Sequence, residues 1–189
     1  MNKNKPTKLK SKKAAASPYQ WALKVFLIAI ALSAALSLAS ETTLEGAGIA
    51  VALLTLVLFI ALGIVFDIVG VAVTAADEKP FHSMAAHREK GAAEALNLLH
   101  NASHVSSFCN DVVGDICGIV SGTTGAVIVV RIQNALGWNS VLLSVGVTAL
   151  ISGMTIGGKA VGKNFAIGKS TRVVFWTGRL LHFFHRGRR

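Results

Sequence analysis

Apolar positions along the chain gather into four long runs, roughly 21–39, 48–76, 105–130 and 140–158, separated by short polar stretches. A bilayer-spanning helix needs about 20 apolar residues, and each run approaches or exceeds that length. The pattern therefore predicts four membrane-spanning helices. Polar residues inside the runs are ordered rather than scattered. Asn110, Gly114, Gly118 and Gly122 recur at helical spacing and share one stripe, with Ser107, Asp111 and Asp115 beside it. Gly63, Asp67, Gly70 and Thr74 form a similar face on the second run, and Ser144, Thr148, Ser152, Thr155 and Lys159 on the fourth. Lipid cannot satisfy polar groups, so all three faces are expected to point inward.

The intervening segments complete the layout. Residues 1–18 are rich in Lys, Ala and Ser, contain Pro6 and Pro18, and read as a disordered basic tail. Residues 19–39 form the N-terminal span. The small-residue sequence Ser37-Leu38-Ala39-Ser40 resembles a secretory cleavage site, but Trp21–Ala39 is long for a signal core, so a retained anchor is expected over a cleaved signal. Segment 40–47 is expected to be a short external loop. In segment 77–104, Asp77-Glu78-Lys79-Pro80 breaks the helix and Pro80 suits the first turn of the next one. Phe81, Met84 and Ala85, then Ala92, Ala95, Leu96 and Leu99, predict two short amphipathic helices on the membrane surface, a solvated helical hairpin being the alternative. Further on, Val173, Val174, Phe175, Trp176, Leu180, Leu181, Phe183 and Phe184 alternate with basic residues, which predicts another interfacial helix before the basic tail 182–189. The expected fold class is an all-α integral membrane bundle: three core spans, an N-terminal span or signal anchor, and cytoplasmic juxtamembrane amphipathic helices.

Composition agrees, at 52% hydrophobic with a mean hydropathy of +0.57. The formal net charge of +10 would suit a nucleic-acid partner, but its placement does not. Lysines crowd residues 3–13, basic residues crowd 159–189, and Lys79, Arg88 and Lys90 lie between the second and third runs. Putting both termini in the cytoplasm places nearly all of them on the inner side, as the positive-inside rule prefers. The expectation is a multi-pass protein of the cell membrane, with the lipid bilayer as partner, anionic headgroups touching its basic tails, and no nucleic acid. Cys109 and Cys117 fall in one span at a spacing no disulfide can bridge within a helix, and read as packing residues. No phosphate loop, nucleophile elbow or zinc signature is present, and the pairs His100/His104 and His182/His185 lack a third ligand. An enzyme is not expected, nor an organic cofactor.

Ionisable residues within lipid are costly, which makes Asp67, Asp111, Asp115 and Lys159 the best pointers to function. With a rise of about 1.5 Å per residue, Asp111 lies roughly 9 Å from the cytoplasmic start of its span, and Asp115 lies deeper. Hard cations prefer oxygen ligands, so Asp67, Asn110, Asp111 and Asp115 are the candidate cation ligands, with Lys159 as a tethered charge that modulates the site. Gly114, Gly118 and Gly122 are the candidate helix-packing seam. The alternative is a Lys159–Asp pair that fixes packing only.

These residues also resemble the transmembrane domain of the cyclin M / CorB–CorC magnesium transporter family over about residues 48–181. The likeness runs through Phe66–Thr74, Glu89–Leu99, the Cys109-Asn110 pair in place of Gly-Asn, and Gly158-Lys159-Ala160-Val161-Gly162-Lys163-Asn164-Phe165-Ala166 in place of Gly-Glu-x-x-Pro-Lys-x-x-Ala. Asn110, Gly158, Lys163 and Ala166 match motif positions directly, while Lys159 stands for the motif glutamate, Gly162 for its proline and Gly70 for the first-helix glutamate. The resemblance implies a homodimeric bundle that moves magnesium through Ser, Asn, Gly and Glu oxygens, here with Lys159 and Lys163 as charges near the site. As a departure from the family, no counterpart of its nucleotide-binding pair of cytosolic domains is expected in this chain. The expected function is a divalent metal cation transporter of the magnesium/cobalt type, or a transporter-like protein. A non-transporting membrane scaffold or partner subunit is the alternative.

Overall fold

The computed structural model describes residues 18–137 and 141–186, and the basic leader 1–17 and the last residues of the basic tail lie outside it. Every described element is helical: α1 (Pro18–Leu44), α2 (Ile49–Ala75), α3 (Lys79–Ala86), α4 (Ala92–His100), α5 (Ala102–Ser107), a π-helical segment (Phe108–Gly114), α6 (Asp115–Leu136), α7 (Val141–Gly168) and α8 (Ser170–Arg186). Four helical stretches are long and apolar enough to cross a membrane: Ala22–Leu44, Ile49–Ala75, Ala102–Leu136 and Val141–Gly168. The protein is a membrane helical bundle.

The spans outrun the apolar pattern at several ends. Residues 40–44 continue α1 rather than forming a loop, because Thr42 and Thr43 return their hydroxyls to the Leu38 and Ala39 carbonyls, and Ser40 and Leu44 are buried. The fourth span runs ten residues past position 158, to Gly168, before α8 begins at Ser170. At the C-terminus of α6, Gly137 takes the left-handed conformation (φ 64°) that closes a helix without a Cβ penalty.

Helix α2 is the central element, packing against α6, α7, α8 and the π segment. Three buried clusters line it. At one end Leu44, Ala52, Leu56 and Ile60 meet Ile128 and Ile151. In the middle Phe59 meets Val112, Val113, Ile116, Cys117 and Val120, with Val25, Ala29, Leu32 and Leu36 of α1 packed alongside. At the other end Ala72, Val73, Phe81, Ala95, Leu99, Ala166 and Val174 bring five helices together. Lipid tails are as apolar as leucine, so close van der Waals fit rather than hydrophobicity holds such helices together. Two glycines of α7 supply that fit, receiving the side chains of Ile64 (at Gly158) and Ile68 (at Gly162).

Helices α3 and α4 form where amphipathic helices were expected, with Pro80 in the first turn of α3. Their apolar faces are covered by protein. Phe81, Ala92, Ala95 and Leu99 are buried, and α8 folds back across α4. Gly91 and Gly178 permit that crossing: a Cβ on Gly91 would stand 2.6 Å from the Arg179 backbone, and its φ of +93° already favours glycine. His182 Nδ1 lies 2.7 Å from Glu94 Oε1 and ties the same two helices. Trp176, Leu180, Phe183 and Phe184 on the outer side of α8 stay exposed, as an interfacial helix requires.

Candidate functional site

The sequence faces of α2 and the third span do meet. Gly63 lies against Cys117, its Cβ position 3.2 Å from the Cys117 Cβ, and Gly70 lies against the Asn110 side-chain amide. Asp67 stands between those two glycines on the same face of α2, three residues before Gly70, and is 4% exposed. Ser106, one turn before Asn110, accepts a 3.3 Å hydrogen bond from Asn110 Nδ2, so the amide oxygen is the atom turned toward α2.

That arrangement leaves a specific imbalance. Asp67 Oδ2 and Asn110 Oδ1 are both buried, both acceptors, and neither has a hydrogen-bond partner among the described residues. Two acceptors cannot satisfy one another. What is missing is a donor or a cation, since an unmet buried carboxylate oxygen is expensive in so apolar a setting.

The π-helical turn carries the site's other half. Residues Phe108–Gly114 widen the third span at the point where it faces Asp67. Such insertions occur often at functional sites, because they re-aim side chains and loosen the carbonyl ladder. Here Asn110 faces α2 and the Gly114 carbonyl lies 3.6 Å from the Gly63 Cβ position, whereas Asp111 and Asp115 turn away. Both of those carboxylates are exposed and line an open groove of about 540 Å³ against Ser33 and Ser37 of α1. The four candidate ligands therefore do not share one pocket. Asp67 and Asn110 are inside, Asp111 and Asp115 outside, and among the described residues no three His, Cys, Asp or Glu side chains group as a metal cluster.

Lys159 pairs with the outer side. Its Nζ is 3.9 Å from Asp115 Oδ1 and 3.4 Å from the place a Cβ would take on Gly114, with the lysine side chain 22% exposed and the aspartate 68%. At that separation the contact is an ion pair rather than a hydrogen bond. Lys163, one turn on, is exposed and has no acidic partner among the described residues.

The glycine stripe divides. Gly114 is buried and closely packed, but Gly118 and Gly122 have open space where a Cβ would go. They face Thr148, Ser152 and Thr155 of α7 across a cavity of about 190 Å³, so the two small-residue faces meet without closing a seam inside the chain. Cys109 and Cys117 are buried free thiols, consistent with packing. His100 sits 4.0 Å from Glu78, and the His185 side chain lies outside the described residues.

Two features escaped the sequence reading. Ser106 could have been found, because it shares a helix face with Asn110. Arg131, the lone cation near its end of the bundle, donates to the carbonyls of Leu44 and Ala47 and caps the end of α1; nothing in its local sequence signals that. Comparison of the chain with protein-family profiles, curated proteins and solved structures finds no match.

Proposed function

We propose that this is a cation transporter of the cell membrane, with Asp67 and Asn110 as ion ligands and magnesium as the transported substrate. The supporting observation is the pair of orphaned, buried acceptor oxygens on facing helices. Magnesium dehydrates reluctantly and is commonly held by one or two carboxylates with several of its waters retained, which matches one aspartate and one amide better than a cage of carboxylates would. Lys159, held by Asp115 beside Gly114, is the modulating charge on this reading and leaves the Asp67 and Asn110 oxygens for the ion. The positive-inside distribution favours both termini in the cytoplasm, and the family likeness favours a homodimer.

A second reading has its own observation. The cleft between Gly118, Gly122 and the α7 hydroxyls is open, and a helix from another chain could close it by small-residue packing. On that reading the protein is a non-transporting partner subunit.

Flux into reconstituted vesicles separates the two. Magnesium entry should fall roughly tenfold or more in Asp67→Asn and in Asn110→Ala, about 1.4 kcal/mol or more of lost ion stabilisation, and stay near the parent rate in Asp111→Asn. Equal flux in the parent protein and Asp67→Asn, or none in either, rules out the transport reading.

A further inference from the structure

Helix α7 ends at Gly168 and the chain turns into α8, leaving a hollow at the elbow. One side of it is an apolar groove of about 370 Å³, floored by Val65, Ile68 and Val69 of α2 and walled by Phe165 and Trp176. Lys169 and Arg172 stand at its rim, and the same two residues line an adjoining, more polar hollow of about 230 Å³ with Ser170 and Thr171. Neither cation has an acidic partner among the described residues. Lys169 Nζ is instead held 5.1 Å from the centre of the Phe165 ring, at the boundary between the two compartments.

We propose that this elbow is a binding site for an anionic phospholipid, with an acyl chain in the α2–α7–α8 groove and the headgroup phosphate between Lys169 and Arg172. Charge complementarity selects the occupant. Two unpaired cations beside an apolar trough, at the level where a span ends, match an amphiphile with a negative head. A zwitterionic lipid fills the trough equally well but leaves the net positive charge unanswered. Trp176, 62% exposed and lining the groove, belongs at headgroup depth and reports on the occupant. Neither Asp67 nor Asn110 lines the groove, and the proposal does not depend on the transport reading.

The test uses the full chain with Trp21→Phe and Trp138→Phe, so that Trp176 is the sole tryptophan, in phosphatidylcholine vesicles. Brominated phosphatidylglycerol or brominated phosphatidylcholine is then titrated in, and quenching is read. Quenching by the anionic lipid should reach half its maximum at a roughly tenfold lower mole fraction than by the zwitterionic one. Lys169→Gln combined with Arg172→Gln should merge the two curves, whereas Lys163→Gln, outside the groove, should leave them apart. Coincident curves in the parent overturn the proposal, as does a preference that survives the double substitution. So does insensitivity to both lipids, which would mean that protein covers the groove.

Discussion

A carboxylate oxygen buried inside a bilayer protein is costly unless a hydrogen-bond donor or an ion meets it. Asp67 meets neither condition at Oδ2, and Asn110 adds a second unmet acceptor. Replacing Asp67 with Asn removes the charge and brings an N–H donor among acceptors. In magnesium-free detergent, Asp67→Asn should therefore be more stable than the parent by about 1–3 kcal/mol, read as a higher thermal midpoint. Added magnesium should raise the midpoint of the parent by ligand linkage and leave Asp67→Asn unmoved. If both proteins gain equally from magnesium, the ion binds elsewhere. The opposite responses matter because a purely structural carboxylate gives a destabilised variant and no ion dependence at all.

At the scale of elements, the fold is governed by where backbones come close. The crossing of α4 and α8 is the tightest outside the spans, since a Cβ on Gly178 would lie 2.9 Å from both the Ala95 Cβ and its backbone nitrogen. Gly178→Val must push α8 away from α4, exposing Phe81 and Val174, which are now fully buried. Amide exchange in 92–100 and 170–186 should accelerate in that variant, with 49–63 unchanged, because that part of α2 is held by separate clusters with α6 and α7. The four spans and the small-residue faces were legible in the sequence, because apolar run length and helical spacing are local properties. The π-helical turn was not. Phe108–Gly114 reads as ordinary helix, and the widening depends on what packs around it. That one feature limits how far periodicity can place Asp111 and Asp115: a stripe drawn on a regular helix sets them beside the packed seam, whereas the structure leaves them facing the α1 groove. The fate of Gly118 and Gly122 was illegible for a related reason, since spacing shows that backbones can approach, not that they do.

At the scale of the molecule, four spans return the chain to the side on which it began, so α3, α4 and α8 share one face of the bilayer and the α1–α2 turn lies on the other. The positive-inside rule predicts the sense of insertion, because Lys79, Arg88, Lys90, Lys169, Arg172 and Arg179 all belong to the first face, while Arg131 is used near the other to cap α1. The native thiols Cys109 and Cys117 are buried and can be replaced by serine to give a silent background. In that background Glu45→Cys, at the exposed α1–α2 turn, should react with a membrane-impermeant maleimide in intact cells. Asp77→Cys and Ser170→Cys should react only after the membrane is opened. Both groups reacting from outside would mean fewer than four spans cross, and the reverse pattern would invert the bundle. Inversion would also move the Lys169–Arg172 elbow to the outer leaflet and turn the Asp67 end of the bundle outward, so the direction of ion entry and the lipid available to the elbow are set together by a single orientation.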